Sequence, residues 1–154
     1  MLSVALALVL VTPLPSASRT SWMRLESFRL TIGMPRQAAI DAIKPWNPKK
    51  GKDENEVFIL YGGGDKAVTL GFRNDRLQSV RFELFAFLAD TRKAFDEEKG
   101  HLRESRGAPP KSTRSILIYD NALPNLMVVL SDDPNTQAGK QGLGMLAIRY
   151  YDPR

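Results

Sequence analysis

The chain has 154 residues, 43% hydrophobic and 25% charged, which fits one globular domain or two very small ones and excludes wholesale disorder. It has no cysteine, which excludes disulfides, thiolate catalysis, thiolate metal sites and an acylated-cysteine anchor. Formal net charge is +5, with 17 acidic residues interleaved among 22 basic ones. That excess favours an acidic protein partner or an anionic membrane surface and is not by itself a nucleic-acid signature.

Residues 1–18 are uncharged: an apolar run over 2–11, then Thr-Pro-Leu-Pro, then the small residues Ser16, Ala17 and Ser18. The run is too short to span a bilayer. Its order reads as a secretory signal cut after Ala17 or Ser18, which predicts export to the periplasm or beyond, with residues 19–154 as one α+β domain. The competing reading is a buried N-terminal strand or helix. Residues 27–32 alternate apolar and polar and predict a short strand or an extended lead-in. Gly33 permits a bend, and Pro35 suits the first turn of a helix over 35–44 that Pro45 stops. Such a short helix must pack Ile40 and Ile43 on a larger surface.

Residues 46–55 read as a polar loop. Residues 56–61 predict a strand with Val57, Ile59 and Tyr61 on one side and Phe58 and Leu60 on the other. Two oily faces place it inside the sheet rather than at its edge. Gly62, Gly63, Gly64 and Asp65 turn the chain into residues 66–88, the stretch around which the rest is organised. There Val68, Leu70 and Phe72, then Val80, Phe82 and Leu84, alternate with wetter residues across an Asn74-Asp75 turn, the pattern of a half-buried β-hairpin. A second helix follows, N-capped by Asp90 and ended by Gly107, with Phe95 and Leu102 as its few apolar positions. Strands over 114–119, 126–131 and 144–151 complete the chain, the last two joined by a loop over 132–142.

Both halves thus run helix, strand, strand, strand. Ile59-Leu60-Tyr61 echoes Leu117-Ile118-Tyr119, and Val80-Arg81-Phe82 echoes Ile148-Arg149-Tyr150. The expected architecture is α+β: an antiparallel sheet with helices on one face, built from two tandem αβββ units over 28–88 and 89–151. The Ile32-Gly33-Met34 string before the first helix and Phe72-Arg73-Asn74-Asp75-Arg76-Leu77 at the hairpin resemble the small outer-membrane lipoprotein A family, and the β-lactamase inhibitory protein fold is similar in shape. The likeness is carried by residues 28–84. It implies a small α+β layer that binds other proteins in the bacterial envelope, without a cofactor. The lipid-attachment cysteine and the inhibitor's disulfides are both missing here.

His101 is the sole histidine and lies in a charged helix, whereas a general base needs a positioned partner. Gly62 to Lys66 lacks the spacing of a phosphate loop and precedes a strand. Asp132-Asp133-Pro134-Asn135 has oxygen ligands for Ca²⁺ but no closing Glu, and reads as a turn. The basic residues Arg73, Arg76, Arg81, Arg103, Arg106, Lys111 and Arg114 lack interleaved aromatics, so a nucleic-acid platform is not indicated.

The expectation is therefore an exported, non-catalytic protein-binding module, an envelope scaffold or inhibitor. Its partner is another protein, acidic by charge, with peripheral envelope contact; no cofactor, metal or nucleic acid is expected. Trp46, Tyr61, Arg81, Tyr119, Arg149, Tyr150 and Tyr151 are the candidate contact residues, because large rings and guanidiniums dominate docking energy. Two alternatives stand beside it: a small hydrolase using a carboxylate pair, and a cytoplasmic immunity-type protein with its first eighteen residues folded in.

Overall fold

The computed structural model describes residues 18–154; all of the signal-like segment but Ser18 lies outside them. Eight antiparallel strands form one sheet: β1 (Lys49–Lys50), β2 (Glu56–Tyr61), β3 (Lys66–Arg73), β4 (Arg76–Phe87), β5 (Lys111–Ser112), β6 (Ile116–Tyr119), β7 (Asn125–Ser131) and β8 (Leu143–Tyr151). Their order across the sheet is β1-β2-β3-β4-β8-β7-β6-β5. Each half of the chain is a meander that begins at an outer edge, and the two long strands β4 and β8 close the middle. Three helices accompany it: α1 (Arg36–Ile43), α2 (Leu88–Arg106) and the short α3 (Gln137–Lys140).

Alternation along the strands decides which face is covered. One register row runs Val57, Leu70, Val80, Tyr150, Leu126, Tyr119; the next runs Ile59, Val68, Phe82, Ile148, Val128, Leu117. All twelve are buried, in one cluster with Ala39 and Ile43 of α1 and Ala94, Phe95 and Leu102 of α2. Helices α1 and α2 therefore sit on the same face of an α+β layer, as expected, and their burial supplies what their own propensity cannot. Asn74 and Asp75 take the left-handed conformation (φ 50° and 61°), the backbone a tight hairpin turn demands. Between Gly71 and Phe72 the ladder shifts register, skipping Gln78 on β4, a bulge that turns Leu77 into the core.

Several expectations need correction. Residues 27–32 form no strand. A single 3-10 turn, Leu25–Phe28, leads through Arg29 (φ 55°) into an irregular segment that sinks Phe28 and Leu30 into the core. The alternation there marked burial, and backbone pairing with β4 begins only at Gly33, whose N–H donates to the Leu77 carbonyl at 2.7 Å. The loop over 46–55 contains β1, and that over 132–142 contains α3, whose N-cap Thr136 accepts the Gly139 N–H at 2.9 Å. Helix α2 starts at Leu88 directly off β4, and Asp90 lies inside its first turn, where it pairs with Arg19. Strand β2 is flanked outward only by the two residues of β1. Its second oily side, Phe58 and Leu60, faces away from the helices and stays partly in solvent.

Candidate functional site

The face turned away from the helices is the most distinctive surface. Its central row crosses every strand: Lys49, Phe58, Thr69, Arg81, Arg149, Met127, Ile118, Lys111. The next row is Leu60, Ala67, Glu83, Ala147, Val129, Ile116. At their far end β4 and β8 outrun their neighbours: Phe85 pairs with Met145, which still faces Ser131 of β7, and Phe87 pairs with Leu143 beyond it. Leu60, Phe85, Phe87 and Leu143 are 51%, 42%, 67% and 41% exposed. Large apolar side chains grouped on one sheet face, with no covering layer among the described residues, are characteristic of a docking surface.

Electrostatics single out the middle of that face. Arg81 and Arg149 are directly opposite on adjacent strands, a like-charge placement that weakens a sheet. Glu83 approaches Arg81 at 3.3 Å. Among the described residues Arg149 has no carboxylate partner; its guanidinium lies 5.3 Å from the Tyr151 ring centroid. A hollow of about 460 Å³ beside Arg81 is lined by Lys50, Lys52, Glu56, Phe58 and Thr69. Arg149→Glu is expected to stabilise the fold by about 0.5 kcal/mol, since gaining an opposite-charge pair outweighs the lost cation–π contact. Urea unfolding would register a higher midpoint at unchanged slope, and a lower midpoint would contradict the repulsion.

The seven residues expected to make contacts divide between the two faces. Arg81, Arg149 and Tyr151 come together on the open face. Tyr150 and Tyr119 point the other way and are 6% and 1% exposed. Tyr150 donates to the Met23 carbonyl at 3.3 Å, and burial pushes its phenol up to about 12. Tyr119 donates to the Gly107 carbonyl at 3.2 Å. Tyr61 is half-buried on the helix side, edge-on to Trp22 at 5.2 Å; burial, and then the charge of Asp65, raise its phenol pKa. Trp46 also lies on the helix side, 5.0 Å from Phe28. These four rings are core and core-rim residues. Period-two logic alone separates Tyr150 from its neighbours Arg149 and Tyr151, because consecutive strand residues cannot share a face. It also marks Phe58, Leu60, Phe85 and Met127, which the aromatic-and-charge criterion passed over.

Opposite the open face, beside α2, a cleft of about 810 Å³ is lined by Arg19, Arg24, Lys93, Glu97, His101 and Glu104, among others. Its floor adjoins Glu98, which is 0% exposed. Glu98 accepts from Thr20 Oγ1 at 2.8 Å and Arg24 Nη2 at 2.7 Å. Burial works against the Arg24 charge, but the Glu98 hydrogen bond and field outweigh it and hold its pKa above the ordinary guanidinium value. Both bonds reach Oε2, which ties the carboxylate into an ion pair, while Oε1 is buried without a hydrogen-bond partner among the described residues.

Other motifs resolve into structure. Gly62, Gly63 and Gly64 all have positive φ and turn β2 into β3. Asp133 Oδ1 accepts the Asn135 N–H at 2.8 Å, closing a local turn. Among the described residues no group of three or more His, Asp or Glu is placed to hold a metal ion, and no helix is long and apolar enough to cross a membrane. Of the seven basic residues, Arg81 and Lys111 belong to the open-face row. Arg76 and Arg106 donate to the carbonyls of Gly33 and Pro124. Comparison of the chain with protein-family models, with curated proteins and with solved structures finds no match to any of them.

Proposed function

We propose that the protein is an exported, non-catalytic binding module whose open sheet face docks an acidic protein partner. The observation that carries this reading is the face itself. Exposed Leu60, Phe85, Phe87 and Leu143 share a surface that no helix of the described residues covers, with a central arginine pair, which combines apolar contact area with charge that selects the partner. A second copy of the chain fits poorly, because opposing two such faces would bring arginines toward arginines. The edges do not invite strand addition either. β1 and β5 are two-residue stubs carrying lysines, a common way to blunt a sheet edge.

The likeness of residues 28–84 to small outer-membrane lipoprotein A proteins supports an envelope setting, and the signal-like residues 1–18 support export. A tandem αβββ origin fits as well. The strand order is unchanged when β1–β4 exchange with β5–β8. The echoed tripeptides around Arg81 and Arg149 pair in reverse, Val80 with Tyr150 and Phe82 with Ile148, as exchange about an axis between the two arginines requires. The Ile59-Leu60-Tyr61 echo is two residues out of that alignment, since Ile59 takes the place of Tyr119 in the exchange.

The test is site-specific photo-crosslinking in native cells, with the reactive residue at Met127 or Tyr151 on the open face and at Gln37 or Lys99 on the helix side. A discrete adduct from the open-face positions alone is expected. Adducts of equal yield from both sides, or none from the open face, would remove the proposal.

A further inference from the structure

We infer that Arg81 and Arg149 together grip one carboxylate side chain of the partner, an Asp or Glu with apolar neighbours in its own segment. This rests on the docking role of the open face and says what that face selects. The two guanidiniums project from directly opposed positions on β4 and β8, and Arg149 has no carboxylate partner among the described residues. A guanidinium presents donors in a planar fork that fits a carboxylate. Two forks converging on one anion relieve their mutual repulsion only when the anion is bound.

The surroundings define the rest of the ligand. Along the central row the arginines are flanked by Phe58 and Thr69 on one side and by Met127 and Ile118 on the other. The cations at the row's ends are Lys49 and Lys111, and Lys111 is already engaged by Asp120 at 2.8 Å. A segment crossing the sheet along this row would therefore set a single acid over the centre and apolar side chains over both flanks. A densely acidic segment would place further charges on Met127 and Ile118, where they would be desolvated without partners, whereas the Phe58 side of the row also carries Lys50 and Lys52. Glu83, 3.3 Å from Arg81, occupies only one of the two forks, and a bound carboxylate would compete with it on that side.

The probe is a phage-displayed library of random twelve-residue peptides panned against the full chain. Binding of enriched peptides would be measured by fluorescence anisotropy with wild type, Arg81→Gln, Arg149→Gln, the double variant and Lys49→Gln. Enriched peptides should share one Asp or Glu with apolar residues within two positions on both sides. Each single arginine variant should lose at least tenfold in affinity. The double variant should lose no more than about threefold beyond either, because both arms act on one group. Lys49→Gln should change affinity less than threefold. Melting temperatures of the glutamine variants should stay at or slightly above wild type, so a loss of binding cannot be a loss of folding.

Multiplicative losses would mean two separate anions, and enriched peptides without any Asp or Glu would mean a different ligand; either overturns the clamp. Peptides whose binding falls with Phe58→Ala but not with the arginine variants would overturn it while leaving the docking face intact. Failure of the open-face crosslinks would remove the docking role itself.

Discussion

Glu98→Ala is expected to destabilise the protein by about 3 kcal/mol, the lower end of the range for breaking a buried ion pair. The Glu98 side chain is fully enclosed, and that of Arg24 is 19% exposed. Alanine leaves a largely desolvated guanidinium without its counter-charge and frees the Thr20 hydroxyl. Arg24 retains a route to water, which keeps the cost from the upper end. Glu98→Gln preserves shape and one acceptor and should cost less, about 1–2 kcal/mol. The paired replacement Arg24→Met with Glu98→Leu removes both charges, so it should recover most of the loss or exceed wild type. Urea unfolding followed by circular dichroism distinguishes these outcomes, with midpoints shifting at constant slope. If Glu98→Ala stays within about 1 kcal/mol of wild type, the pair does not hold the structure together as its burial implies. Because Thr20, Met23 and Arg24 tie the N-terminal segment to α2 and β8, amide exchange over residues 20–24 should also rise in Glu98→Ala. That would locate the damage in the strap over the core and not in the sheet.

How much of this was legible in the sequence differs by element. Strands β2 and β3 have the predicted bounds, because alternating Val, Leu, Phe and Ile between turn residues leaves little choice of period. The β3–β4 hairpin was equally clear from Asn74-Asp75. Residues 27–32 carry the same alternation yet pair with nothing. Period two reports that every second side chain is buried, and a strap pinned across a core satisfies that as well as a strand does. Glu98 was invisible for a related reason. In a helix rich in charge, one glutamate resembles the others until Thr20 and Arg24, remote in sequence, arrive to bury it. The open face was half legible. Arg81, Arg149 and Tyr151 follow from charge and aromaticity, but the same criterion selects Tyr119 and Tyr150, which parity places in the core. Phe87 and Leu143 needed the β4–β8 register, a pairing between strands far apart in the chain.

Phe82→Ala should cost about 3–5 kcal/mol, whereas Phe87→Ala, on the same strand, should cost less than about 0.5 kcal/mol. The Phe82 ring is fully buried and meets Trp22 at 6.0 Å, Phe28 at 5.7 Å and Tyr150 at 6.0 Å. Its removal leaves a cavity that four separate elements would have to collapse together to fill. Phe87 is 67% exposed and holds no such junction. A domain of this size is stable by about 5–15 kcal/mol, so the first substitution takes a large part of the total and the second almost none. The contrast also separates folding from docking. Phe87→Ala should weaken the open-face crosslink while its unfolding midpoint stays within error of wild type, whereas Phe82→Ala should lower the midpoint by an amount set by core packing. Comparable losses of stability at the two positions would mean that both faces of β4 are needed for the fold, and the apolar surface opposite the helices would then have no claim to be kept for a partner.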